Sequence, residues 1–215
     1  MMGQRLRVTE IFYSLQGETY TVGMPTVFIR LTGCPLRCQY CDTTYAFQGG
    51  SWQTLVEIIE QVRNYKTKHI TVTGGEPLAQ KACIELLKQL CDLNYIVSLE
   101  TSGALDVSLV DPRVVKVLDL KTPDSGELQK NLFSNLQYLS SQDQIKFVIC
   151  SRKDYEWSCE ILEKYQLVRL CQILFSPSFH QQTAKELADW ILSDQLPVRF
   201  QIQLHKYLWG DEPGR

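Results

Sequence analysis

Cys34-Pro35-Leu36-Arg37-Cys38-Gln39-Tyr40-Cys41 sets three thiols at a C-x3-C-x2-C spacing. The stretch follows Thr26-Val27-Phe28-Ile29-Arg30-Leu31, an apolar run that reads as a strand, so the thiols fall in the loop at its end. Three thiolates gathered by a short loop can each hold one iron of a cubane cluster. The usual ferredoxin frame brings four cysteines, and no fourth stands nearby. An iron without a protein ligand is open to bind and reduce another molecule. The alternatives are a zinc site or three loop cysteines without a metal. Structural zinc wants four closed ligands, commonly in two separated pairs, and no second pair is visible.

Outward from this loop the chain alternates. Strands are predicted over 8–13, 25–32, 69–73, 95–100, 114–121, 144–150, 171–175 and 199–205, and helices over 52–65, 79–93, 128–139, 154–165 and 183–193. Strand–helix alternation predicts parallel βαβ units. Six main strands are fewer than the eight of a closed barrel. The expected fold is therefore α/β, an open partial (β/α)6-type barrel with an N-terminal extension, with residues 1–215 forming a single domain. Buried parallel strands usually read as continuous apolar runs. These carry one polar face each: Arg30 with Thr32, Thr71 with Thr73, Ser98 with Glu100 and Ser102, Asp119 with Lys121, and Gln201 with Gln203 and His205. Such faces would line the inside of a barrel too open to be dry. An antiparallel sheet with one wet face is the alternative, and the intervening helices argue against it.

The 215 residues suffice for a full core, and 44% hydrophobic with 21% charged residues describes a globular protein. A net charge of −2 gives no basic footprint for nucleic acid. No apolar run reaches membrane-spanning length and none reads as a signal region, so no membrane partner and a cytoplasmic location are expected. Of eight cysteines, Cys83, Cys91, Cys150, Cys159 and Cys171 are scattered on helix and strand patterns and read as core thiols.

Further motifs narrow the reading. Thr73-Gly74-Gly75-Glu76-Pro77 ends a strand on two glycines, which uncover the backbone for close approach by a small zwitterion. Phe12-Tyr13-Ser14-Leu15-Gln16-Gly17-Glu18 lies near the start, Cys41-Asp42-Thr43 follows the third thiol, and Gln203-Leu204-His205-Lys206-Tyr207 lies near the end. With these pieces in this order, from about Thr9 to Trp209, the chain resembles the 7-carboxy-7-deazaguanine synthase family of radical S-adenosylmethionine (SAM) enzymes.

The resemblance implies that Cys34, Cys38 and Cys41 hold a [4Fe-4S] cluster whose open iron takes SAM. It places Tyr40, Asp42, Gly74, Gly75 and Glu76 on SAM, with Asp119, Lys121, Ser176 and Pro177 at strand ends on the rest of that cofactor. It places Leu15, Gln16, Gly17, Arg30, Thr73, Gln203 and His205 on a carboxylated pterin, and Thr43 on Mg2+. It also implies an electron donor such as flavodoxin or ferredoxin, and a homodimer. Two departures stand out. Asp119-Leu120-Lys121 replaces the family's frequent Ser-Pro-Lys, and Thr19 replaces the glycine after Gln-Gly-Glu.

From the residues alone, Arg30 on a buried strand would either grip a substrate carboxylate with its planar fork or pair with Glu100 or Asp119. Asp119 and Lys121 would equally form an internal pair, and His205 would equally be a hydrogen-bonded core residue. Two other activities share parts of the pattern. A radical SAM activase would form a glycyl radical on a partner protein, and a plain iron–sulfur module would only pass electrons.

Overall fold

In a computed structural model that describes residues 4–212 and 214, nine strands form one sheet. In chain order these are β1 (Arg5–Leu15), β2 (Pro25–Leu31), β3 (Ser51–Thr54), β4 (His69–Gly74), β5 (Ile96–Thr101), β6 (Val115–Asp119), β7 (Gln144–Ile149), β8 (Gln172–Pro177) and β9 (Arg199–Phe200). The helices are α1 (Leu55–Arg63), α2 (Cys83–Asp92), α3 (Arg152–Lys164), α4 (Ala184–Ser193) and α5 (Leu204–Trp209). The spatial order is β3-β1-β2-β4-β5-β6-β7-β8-β9. From β2 onward every neighbouring pair runs parallel, whereas β1 pairs antiparallel with β2 and β3. Among the described residues the two edges, β3 and β9, do not meet, so the sheet is an open barrel.

Period-two alternation decides which side chains face out. Val27, Ile29 and Leu31, Ile70 and Val72, Val97 and Leu99, and Ile145, Phe147 and Ile149 are all buried in one apolar cluster under the helices. From α2, Leu86, Leu87 and Leu90 enter the same cluster with no exposed surface, each burial contributing about 1.5–3 kcal/mol. The inward side is polar, and strand register brings its members side by side: Arg30 opposite Thr73, Thr71 opposite Ser98, Asp119 opposite Lys146.

Three predicted elements are corrected. The helix expected from residue 52 begins at Leu55. Residues 51–54 instead form β3, and Thr54 caps α1 in a box with Glu57, each accepting from the other's backbone N–H. The helix expected over 128–139 is two short 3-10 turns, Leu128–Lys130 and Phe133–Tyr138. Asn135 explains the break. Its buried amide takes the N–H of Val107 and donates to the carbonyls of Gly103 and Leu105, holding the segment across the preceding loop. The strand expected over 199–205 stops at Phe200, and His205 lies on α5. Of the five scattered cysteines, Cys83, Cys91 and Cys171 are buried as expected, while Cys150 and Cys159 are only half-buried.

Candidate active site

The cysteine loop is moored from several sides. The N–H of Gly75 donates to Leu31 O, that of Glu76 to Gly33 O, that of Gly33 to Ala46 O and that of Gln39 to Ser125 O. The Arg37 guanidinium lies 4.3 Å from the Phe47 ring centre and bonds the carbonyls of Cys34 and Leu36. Both glycines of the Gly74-Gly75 loop are required here. A Cβ on Gly74, whose φ is +153°, would stand 2.2 Å from Leu31 O, and one on Gly75 would stand 2.7 Å from Cys34 Cβ. The glycine loop thus packs against the backbone of Leu31 and Gly33 and against the Cβ of Cys34.

Beside them opens a cavity of about 540 Å³, of a size that suits a cofactor and a small substrate together. Cys34, Cys38 and Cys41 all line it. Burial pushes their thiols up, Cys38 to about 11, and nearby Lys121 opposes the rise at all three. Iron binding would displace these protons. Among the described residues, no three His, Cys, Asp or Glu side chains converge on a point that would hold a single metal ion. The three thiols line one space, and three thiolates are the donor set of a cluster with one open iron.

A hydrogen-bonded polar network also borders the cavity. Gln16 donates to Thr71 and Glu100, Thr71 pairs with Ser98, and Thr73 donates to Glu100. Burial raises the Glu100 carboxyl above its ordinary value, against the pull of Lys146. Glu18 lies in the opposite regime. Burial raises its carboxyl, but Lys146 at 2.8 Å, His205 and Gln203 at 3.0 Å together outweigh burial and hold it at about 2. Thr19 takes φ +68°, a conformation glycine adopts freely, so the loop keeps a glycine-type turn.

Helix α5 closes this side. The N–H of Leu204 donates to Gly17 O, and His205 packs so close that a Cβ on Gly17 would lie 2.1 Å from its Nδ1. Lys206 pairs with Asp211 at 2.6 Å and reaches toward Asp42 in the cysteine loop at 3.8 Å.

Leu15, Gln16, Gly17, Arg30, Tyr40, Asp42, Thr43, Thr73, Gly74, Gly75, Asp119, Lys121, Gln203 and His205 all line the cavity. Glu76, Ser176 and Pro177 do not. Glu76 is fully buried behind the glycine loop, where it accepts from the N–H groups of Leu78 and Ser102 and the hydroxyls of Thr101 and Ser102. It splints β4 to β5. Beyond β8 it is Ser178, Phe179 and His180 that reach the cavity. Arg30 pairs with neither Glu100 nor Asp119. Its Nε donates to Glu10 on β1 at 2.6 Å, with Phe12 and Tyr45 against the guanidinium at 5.5 and 5.8 Å. Thr43 donates to Asp42 at 2.7 Å. Glu100 lines the cavity from the inward polar face on which the sequence puts it, whereas Glu18 and Lys146 were not expected as cavity residues. A lysine between Ile145 and Phe147 was the available signal for the last.

The Radical SAM superfamily pattern matches residues 28–191. A 7-carboxy-7-deazaguanine synthase of Chlorobaculum tepidum is 42% identical over 210 residues, 96% of each chain. That of Koribacter versatilis is 38% identical over 222 residues, 96% of this chain and 98% of its own. The chain belongs to the 7-carboxy-7-deazaguanine synthase family. As a radical SAM lyase of that family it uses a [4Fe-4S] cluster and SAM. Its fold is that of QueE from Escherichia coli, with a TM-score of 0.77 at 23% identity over 94% of this chain and 95% of that one. Among the described residues no helix is long and apolar enough to cross a membrane.

Proposed function

We propose that the chain converts 6-carboxy-5,6,7,8-tetrahydropterin to 7-carboxy-7-deazaguanine with release of ammonia, in biosynthesis of deazapurines such as queuosine. The observation that carries this reading is one cavity lined both by the three thiols and by Gln16, Gly17, Arg30, Gln203 and His205. In this reading, cluster and SAM supply a 5′-deoxyadenosyl radical when bound. Cys34, Cys38 and Cys41 hold the cluster, and Gly74-Gly75 presents bare backbone to the SAM amino acid group. Tyr40, Asp42, Asp119 and Lys121 flank the remainder. Arg30 clamps the pterin carboxylate, while Leu15, Gln16, Gly17, Thr73, Gln203 and His205 hold the ring and exclude water. Thr43, with Asp42 beside it, offers oxygens to Mg2+, which otherwise keeps water and substrate ligands. Glu76, Ser176 and Pro177, which do not line the cavity, support its walls. We assign the whole chain to one domain acting in the cytoplasm as a homodimer, reduced by a flavodoxin or ferredoxin.

The test is an anaerobic assay of protein reconstituted with iron and sulfide, given the carboxylated tetrahydropterin, SAM and a low-potential reductant. Formation of 7-carboxy-7-deazaguanine is expected, and Cys34→Ala, Cys38→Ala and Cys41→Ala each abolish it together with SAM cleavage, whereas Cys91→Ala does not. SAM cleavage without the deazaguanine would refute the substrate. A triad variant with full iron and turnover would refute the ligand set.

A further inference from the structure

Four charged side chains that line the cavity form a row of alternating sign. Glu18 Oε2 lies 2.8 Å from Lys146 Nζ, Lys146 Nζ lies 3.6 Å from Asp119 Oδ2, and Asp119 Oδ1 lies 3.1 Å from Lys121 Nζ. The row ends at the cysteine loop, where Lys121 Nζ stands 5.7 Å from the ring of Tyr40, between Cys38 and Cys41. None of the four exposes more than 17% of its side chain, so water screens them weakly. Lys121 is also fixed in place. Its N–H donates to Asn131 Oδ1 at 2.8 Å, and Asn131 Nδ2 donates back to its carbonyl at 2.8 Å.

We propose that Lys121 sets the reduction potential of the cluster, and that Asp119, backed by Lys146 and Glu18, limits how much of its charge the cluster feels. Reduction moves one electron from a low-potential donor onto the cluster, which becomes more negative by one charge. A cation held at the thiolate side stabilises that reduced form, and an anion beside the cation works against it. The signs therefore alternate along the row. Removing the charge of Lys121 lowers the potential, removing that of Asp119 raises it, and removing that of Lys146 lowers it again by less, because it is farther away. The inference rests on the cluster and not on the identity of the pterin.

The experiment is a potentiometric titration, followed by electron paramagnetic resonance, of anaerobically reconstituted protein without SAM. Parent, Lys121→Gln, Asp119→Asn and Lys146→Gln proteins are compared at matched iron and sulfide content. The expected result is a downward shift for Lys121→Gln of at least tenfold in the reduction equilibrium, about 59 mV for one electron, and an upward shift for Asp119→Asn. Shifts of the same sign, or none in either variant, with the cluster intact overturn the proposal. If Lys121→Gln takes up less cluster, Asp119→Asn decides alone: an upward shift supports the proposal, and a downward or absent one overturns it. A parent protein that takes up no cluster overturns this proposal together with the cluster assignment, whereas normal potentials with no deazaguanine formed touch only the substrate assignment.

Discussion

Arg30 divides its guanidinium between two duties. Its Nε edge is held by Glu10 and its face rests between Phe12 and Tyr45, while the side chain lines the cavity. A guanidinium braced in this way loses little freedom when it grips a carboxylate with its remaining donors. Arg30→Lys keeps the charge and removes the fork. Pterin binding should weaken by about 1.5–3 kcal/mol, a factor of roughly 10 to 150, with SAM affinity nearly unchanged. The melting temperature should fall slightly, since the Glu10 contact is also weakened. Calorimetric titration of both ligands on one variant checks this, and an unchanged pterin affinity would sink the clamp. The partner of Arg30 was not legible in the sequence. Glu10 lies directly opposite Arg30 on an antiparallel strand, just past a bulge after Val8, so its position follows from pairing and not from spacing.

Among the elements, the βαβ order and the inward polar faces were legible because alternation survives burial. Thr71, Thr73, Ser98 and Glu100 lie where period two puts them. What failed were elements whose pattern is borrowed from elsewhere. β3 is four residues long and exists by pairing with β1; the Thr54–Glu57 capping box was the local sign that the helix starts later. Leu128, Leu132, Leu136 and Leu139 have helical spacing, but Asn135 gives its hydrogen bonds to the 103–107 loop. Glu76 follows Gly74-Gly75 but does not line the cavity, and its buried carboxylate is taken up by Leu78, Thr101 and Ser102. Glu76→Ala would strand buried donors on Leu78, Thr101 and Ser102 at a cost of about 3 kcal/mol. That corresponds to roughly 6–12 °C in melting temperature. Glu76→Gln should recover part of the loss. Thermal scans of the two variants decide, and an Ala variant melting with the parent would remove the splint.

At the scale of the whole molecule, Glu18 joins the N-terminal loop to β7 through Lys146 and to the segment before α5 through Gln203. Its carboxyl is held at about 2 against an ordinary 4.5. A depressed value in the folded state adds stability that is fully present above pH 4.5 and lost as pH falls toward 2. Glu18→Gln should therefore be less stable than the parent at pH 7, and the gap should narrow as the pH drops from 4.5 to about 3. Urea unfolding at pH 7, 4.5 and 3 tests it; a constant gap would show that the carboxyl is not depressed in the folded state. The same joining of distant segments appears in Gly17 and His205, where the missing Cβ leaves the room that the imidazole fills. In terms of descent, the two positions form one inherited unit. A side chain can appear at 17 only in a lineage that has already given up the ring at 205, so the first loop and the last helix are bound to change together or not at all.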